Sequence, residues 1–172
     1  MELLLLAPFF LIRFTLLFLL DKTAVRRAAH FAPMETSEKP SYWLYQLSNA
    51  AIFICMFFLQ VKFAPRYLFI AGVIIYLAGN LLLVISMFNF AHPSANGINL
   101  KGLYRVSRNP MYIAYFVYFL GCALLTQSLI LFALVLVFQV SSHQIILAEE
   151  RWCIKSFGEE YLQYMKKTKR YI

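Results

Sequence analysis

The stretch "MYIAYFVYFLGCALLTQSLILFALVLVF", residues 111–138, consists of two apolar runs without a charged side chain, separated by "TQS". Each run approaches the ~20 residues that a helix needs to cross a bilayer. Because so short a link makes consecutive helices neighbours that run in opposite directions, the stretch predicts a tight antiparallel helical hairpin.

The rest of the chain has the same apolar character. Of its 172 residues, 62% are hydrophobic and 14% are charged, whereas an average soluble domain is about half apolar and about a quarter charged. Segments of near-spanning length are predicted at residues 3–20, 42–61, 67–88, 111–126 and 128–147. We therefore expect an all-α, polytopic membrane bundle of about five transmembrane helices, followed by a C-terminal amphipathic helix.

The first apolar segment is expected to be a retained transmembrane helix. It begins with Glu2 rather than a cation, and no small-residue cleavage site follows it, so a signal peptide is not indicated. Arg13 lies inside this segment, where a charge is costly. The sequence leaves open whether Arg13 faces the bundle or reaches the membrane interface.

Polar side chains gather at one end of the predicted hairpin. The fourth helix starts at Asn109-Pro110, which suits a cap followed by a first turn, and its neighbour Arg108 shares a face with aromatic residues. At 100° per residue, one arc of the fifth helix carries Gln139, Ser142, His143, Ile146, Glu149 and Glu150. This convergence indicates either a ligand site or a hydrogen-bonded seam between helices.

A zwitterionic ligand with an aromatic part would suit such a site, and S-adenosylmethionine is one candidate that the residue types alone do not single out. The histidines and cysteines show no metal-ligand spacing, so no metal is expected. The net charge of +8 indicates membrane orientation rather than nucleic-acid binding.

Two motifs closely resemble a family of integral membrane enzymes. They are "GLYRVSRNPMY", residues 102–112, and "AEERWCIKSFGEEYLQYMKKTKRYI", residues 148–172. The pattern Gly-x-Tyr, Arg-His-Pro-x-Tyr, Glu-Glu, Phe-Gly-x-x-Tyr-x-x-Tyr resembles that of isoprenylcysteine carboxyl methyltransferases and phospholipid methyltransferases, here of a bacterial or archaeal type. The resemblance covers about residues 97–172.

The resemblance implies S-adenosylmethionine-dependent methyl transfer to a lipid-like acceptor in the membrane, a prenylcysteine-type carboxylate or a phospholipid amine. The length of the chain suits one domain, residues 1–172, with transmembrane helices 1–3 in 1–90. The resemblance places the cofactor-binding loop, hairpin and tail in 91–172.

The resemblance and the polar arc together give three sets of expected site residues. Catalytic roles are expected for Arg108, Glu150 and Arg170. Cofactor binding is expected for Gly102, Tyr104, Arg108, Asn109, Pro110, Tyr112, His143, Glu149 and Glu150. Substrate binding is expected for Tyr115, Gln139, Tyr161 and Tyr164.

One departure and two alternatives accompany this interpretation. Asn109 stands where many family members have histidine, and asparagine cannot titrate. A membrane reductase of the sterol-reductase type, using NADPH, is the first alternative, since Arg105 and Arg108 could bind a phosphate. A non-catalytic membrane subunit is the second. The oligomeric state and the acceptor stay undetermined.

Charge asymmetry predicts the orientation of the bundle. Thirteen lysines and arginines fall in the first and third connections and the tail, whereas Lys62 and Arg66 lie in the second connection. The positive-inside rule then places the N-terminus outside and the C-terminus and cofactor site in the cytoplasm. Reporter fusions at Ile172 and within residues 62–66 should report opposite sides of the membrane, and like signals would contradict five spans.

Overall fold

The computed structural model describes residues 3–94 and 96–172, and the chain is built from helices. The α-helices are α1 (Leu3–Phe10), α2 (Leu17–Leu20), α3 (Lys22–Ala29), α4 (Lys39–Phe58), α5 (Arg66–Ala91), α6 (Pro110–Thr126), α7 (Leu129–Phe157) and α8 (Glu159–Lys167). A π-helical segment, Leu11–Leu16, joins α1 to α2, and short 3₁₀ turns occupy Thr36–Glu38 and Gly102–Arg105. The expectation of an all-α fold is thus confirmed.

Two helices, Arg66–Ala91 and Leu129–Phe157, are long and apolar enough by composition to cross a membrane. The apolar helices Leu4–Leu20 and Pro110–Thr126 are shorter. Large side chains such as Leu77, Leu81 and Val140 are exposed along these helices, as expected for surfaces that face lipid.

The predicted hairpin is present. Gln127 adopts the left-handed conformation after α6, and the Ser128 side chain accepts a hydrogen bond from the backbone N–H of Leu131 at the start of α7. These two residues turn the chain back within the length of the "TQS" link, and α7 then packs beside both α4 and α6.

The structure corrects the sequence-based boundaries in two places. The apolar run predicted at 128–147 continues as helix to Phe157, where Gly158 takes a positive φ of 57°. The first connection, for which no helix was predicted, contains α3, and the Asp21 side chain caps this helix by accepting from the N–H of Thr23. Both differences arise from polar residues that hydropathy does not score as helical.

An ion pair ties the first connection to α7. Arg151 donates two hydrogen bonds, each 2.7 Å long, to the two carboxylate oxygens of Glu38. The hydrogen bonds from Arg151 lower the pKa of Glu38, so this carboxylate is charged at neutral pH. The segment between α3 and α4 is thereby held against the end of α7 that carries the predicted site.

Glycines allow a close contact between α5 and α6. A Cβ atom on Gly79 would lie 2.5 Å from the backbone of Tyr118, and one on Gly121 would lie 2.5 Å from the backbone of Tyr76. Gly72 meets the backbone of Leu125 in the same way, at 2.9 Å. The absence of side chains at these three positions lets the backbones of α5 and α6 approach each other closely.

The alanine substitution Gly79→Ala should therefore destabilise the protein, because the clash is with backbone that cannot turn aside. Overpacking of this kind costs roughly 1–3 kcal/mol, so the midpoint of thermal unfolding in detergent should fall. Ala78→Val adds volume at the neighbouring exposed position and serves as the control. Equal midpoints for the two variants would contradict the assigned contact.

Candidate functional site

A cavity of about 570 Å³ lies where the start of α6, the last turns of α7 and α8 meet α3. This volume falls within the roughly 300–1,000 Å³ that small-molecule sites occupy. Nine of the residues expected from sequence line it: Tyr104, Arg108, Asn109, Tyr112, Tyr115, Glu149, Glu150, Tyr161 and Tyr164. The structure thus brings most of the predicted residues to one place.

The other expected residues lie outside the cavity lining. Arg170 contacts the lining residues Glu150 and Asn109 from outside the cavity, and Pro110 provides the first turn of α6. His143 shares a 2.6 Å hydrogen bond with the hydroxyl of Tyr171, which links α7 to the C-terminal residues. Two further residues, Gly102 and Gln139, are also absent from the lining.

Gly102 shapes the loop rather than the cavity. It has a φ of 58°, and a Cβ atom there would lie 2.1 Å from Oδ1 of Asn89. That oxygen accepts the N–H of Leu103 at 2.8 Å. A side chain at position 102 would therefore both strain the backbone and displace the amide that fixes the loop to α5.

A buried carboxylate between two arginines is the central feature of the site. Oε1 of Glu150 accepts from Nε and Nη2 of Arg108, both at 2.9 Å. Oε2 accepts from Nε and Nη2 of Arg170, at 3.1 and 2.9 Å. The side chain of Glu150 is 4% exposed and that of Arg108 is 8% exposed. The ion pair with Glu150 raises the pKa of Arg170.

The same cluster holds the C-terminal segment, residues 165–172, against the loop before α6. Nη1 of Arg108 donates to the carbonyls of Met165, at 3.2 Å, and Thr168, at 2.5 Å. The carbonyl of Arg170 accepts from the Ser107 hydroxyl and from Nδ2 of Asn109. Asn109 is at the cap position of α6, as predicted, but its side chain bonds this segment instead of the helix.

Glu149 differs from its neighbour Glu150 because its surroundings leave it available. Among the residues that the structure describes, Tyr112 is the side chain that donates to Glu149, and it engages Oε1 alone, at 2.8 Å. Glu149 lines the cavity and carries no direct ion pair to Arg108 or Arg170. It can therefore accept hydrogen bonds from a ligand.

Tyrosines supply the aromatic wall of the cavity and remain neutral there. Burial raises the pKa of Tyr104, Tyr161 and Tyr164 far above the neutral range. The hydroxyl of Tyr164 donates to the carbonyl of Tyr104 at 2.6 Å. These phenols can pack and donate hydrogen bonds, but they cannot act as bases at neutral pH.

Sequence reasoning missed the contribution of the N-terminal third. Arg13, Arg26, Arg27 and His30 all line the same cavity as Glu149. Arg26 and Arg27 were counted only as topology signals, the orientation of Arg13 was left open, and His30 was considered only as a possible metal ligand. The signal that could have identified them is the cap residue Asp21, which predicts a short helix carrying two adjacent arginines.

Comparison with known families identifies the chain. The phospholipid methyltransferase family matches residues 67–160, more than half of the chain, and the protein belongs to this family. The match begins thirty residues before the resemblance noted in the motifs and stops before Tyr161, Tyr164 and Arg170. No curated protein and no solved structure gave a match.

Weakening the hydrogen bonds of Arg108 is predicted to loosen the C-terminal segment. Lysine at position 108 cannot reproduce the hydrogen bonds that Arg108 makes to Glu150, Met165 and Thr168 at once. Arg108→Lys should cost the segment about 1–3 kcal/mol of local stability. Trypsin should then cleave after Lys166, Lys167 and Lys169 roughly 5- to 150-fold faster, if cleavage follows the open population.

Arg105→Lys is the matched control, because Arg105 is exposed in the adjoining 3₁₀ turn. Neither substitution creates a new trypsin site. Equal cleavage rates in wild type and Arg108→Lys would mean that the cluster does not hold the segment.

Proposed function

We propose that the protein transfers a methyl group from S-adenosylmethionine to a lipid-like acceptor in the membrane. Membership of the phospholipid methyltransferase family supports methyl transfer and a lipid-type acceptor. The observation that supports a binding site for the methyl donor is the cavity of about 570 Å³. Aromatic residues and Glu149, which belong to the family's motifs, line this cavity. The acceptor is a phospholipid amine or a prenylcysteine-type carboxylate.

The residues of the cavity suit the parts of this donor. The sulfonium methyl group of S-adenosylmethionine is the electrophile, and the sulfur leaves as a neutral thioether. Tyr104, Tyr112 and Phe157 offer aromatic surface for the adenine, and Glu149 offers an acceptor for an ammonium or ribose hydroxyl group. Arg108 has a single N–H left after its bonds to the protein, which can donate to a carboxylate.

The cluster of Arg108, Glu150 and Arg170 contributes by positioning the segments around the cavity. Glu150 is fully occupied by Arg108 and Arg170, so its role is to hold the loop before α6 and the C-terminal segment over the cavity. Enclosure of this kind aligns the two reactants and excludes water. Alignment alone can lower a barrier by about 7–11 kcal/mol. An acceptor carboxylate needs no base, whereas an ammonium must first lose a proton.

The fold is proposed to form a single integral membrane methyltransferase domain. The spans are the helical segment at residues 3–20 together with α4, α5, α6 and α7. The cavity and α8 lie at the cytoplasmic face, and the N-terminus lies outside. The basic end of α8, with Lys166 and Lys167 in its last turn, then meets anionic headgroups.

Glu149→Gln tests the donor site directly. Replacing a carboxyl oxygen by an amide group removes a hydrogen-bond acceptor, which should weaken S-adenosylmethionine binding by about 1–3 kcal/mol, the scale of a buried polar group left without its partner. Titration calorimetry on the protein in detergent measures this change. Glu159→Gln, at an exposed position of α8, is the control and should bind as wild type does.

The same titration with NADPH distinguishes the reductase alternative. Tight binding of NADPH without binding of S-adenosylmethionine would favour a reductase, and binding of neither would favour a non-catalytic subunit. An unchanged donor affinity in folded Glu149→Gln would mean that the donor lies elsewhere. Mass spectrometry of lipid extracts incubated with protein and labelled donor then identifies the acceptor.

A further inference from the structure

A second, smaller cavity adjoins the first. It has a volume of about 190 Å³, and its wall is largely aromatic, with Asn49 as a polar exception. The ring-bearing wall residues besides tyrosine are Phe9, Phe10, Phe14, Phe53, Phe119 and Phe138. Arg13, Tyr45 and Tyr115 line both cavities, so these three side chains form the boundary between a polar chamber and an apolar one.

Arg13 stands at this boundary with part of its guanidinium unsatisfied. Nη2 donates to the carbonyl of Ala28 at 2.7 Å, and Cζ lies 5.5 Å from the ring centre of Tyr115. Nη1 is buried and, within residues 3–94 and 96–172, meets no hydrogen-bond partner. Arg13 therefore faces the bundle, which settles the question that the sequence left open.

The hydroxyl of Tyr115 is a second buried polar atom without a partner among the described residues. Buried polar groups in native proteins are almost always hydrogen-bonded, and an unpaired cation is especially costly. Two unsatisfied donors at one boundary indicate that a ligand completes the site. A positive charge beside a phenolic O–H selects an anionic oxygen.

The apolar chamber has access to the outer surface. Phe10 and Phe14 belong to its wall, and they are 41% and 53% exposed on the face of the first helical segment. Arg13 lies in the π-helical segment Leu11–Leu16 between them, and such segments often occur at functional sites. In a bilayer, this opening would face hydrocarbon rather than water.

We propose that Arg13 and Tyr115 bind the anionic group of the acceptor, while its hydrocarbon chain occupies the aromatic chamber lined by Phe53 and Phe119. This inference rests on the proposed function and assigns the acceptor a chemistry: an amphiphile whose phosphodiester or carboxylate lies next to its chain. In a phospholipid, the anion at Arg13 then places the amine-bearing head in the larger cavity, on the side of Glu149. In a prenylcysteine, the carboxylate bound at Arg13 is itself the group that accepts the methyl.

Native mass spectrometry of the detergent-solubilised protein with three lipid probes tests which anionic group the site binds. Dioleoylphosphatidylethanolamine carries a phosphodiester, N-acetyl-S-farnesylcysteine carries a carboxylate, and dioleoylglycerol carries no charge. Wild type should retain at least one of the two probes that carry an anionic group well above dioleoylglycerol. The probe that is retained better shows whether the site prefers a phosphodiester or a carboxylate. Inorganic phosphate should not displace it, because phosphate lacks a chain.

Arg13→Gln should reduce retention of the preferred probe by at least about tenfold, the loss expected for a hydrogen bond to a charged group. Arg13→Lys should keep part of it, and Tyr115→Phe should give a smaller loss. Arg66→Gln removes an exposed arginine outside both cavities and should retain the probe as wild type does.

The affinity for S-adenosylmethionine, measured by calorimetry on the same samples, distinguishes failure of the acceptor site from failure of the proposed function. Normal S-adenosylmethionine binding together with unchanged probe retention in Arg13→Gln and Tyr115→Phe would overturn the acceptor site and leave the proposed function intact. Absence of donor binding in wild type would overturn the proposed function instead. Equal retention of charged and uncharged probes by wild type would also overturn the acceptor site.

Discussion

The buried carboxylate of Glu150, held between Arg108 and Arg170, is the constraint on which the site depends. A charge that is 4% exposed is tolerable only when it is paired and hydrogen-bonded. Because its partners come from the loop before α6 and from the C-terminus, satisfying this one charge brings both segments onto the last turns of α7. Removal of either arginine would leave the carboxylate partly unpaired and open that side of the cavity.

Much of the fold was predictable because its signals are local. The "TQS" link defined the hairpin, and the spacing of Gly72 and Gly79 placed both on a face that packs against α6. The extension of α7 to Phe157 was underestimated, since hydropathy falls at Glu149 while the helix continues. Helix α3 was missed for the same reason: half of its residues are polar, and its start depends on a cap that hydropathy ignores.

The site was predictable where motif residues lie on the hairpin and unpredictable where contacts are distant in sequence. Spacing placed Tyr112 and Tyr115 on one face of α6 with Arg108 just before the helix, and all three residues line the cavity. No periodicity in the sequence could show that Arg108 would donate hydrogen bonds to Glu150, Met165 and Thr168. The approach of Arg13 to Tyr115 likewise depends on how the first helical segment packs against α6.

The central claim is that the cavity enclosed by the Glu150 cluster is the site of the methyl donor. Hydrogen exchange of the detergent-solubilised protein, with and without S-adenosylmethionine, tests it most directly. We expect the donor to slow amide exchange in residues 102–112 and 149–164 and to leave the exchange of residues 70–84 in α5 unchanged. Slowed exchange confined to other segments, or none at saturating donor, would contradict the account.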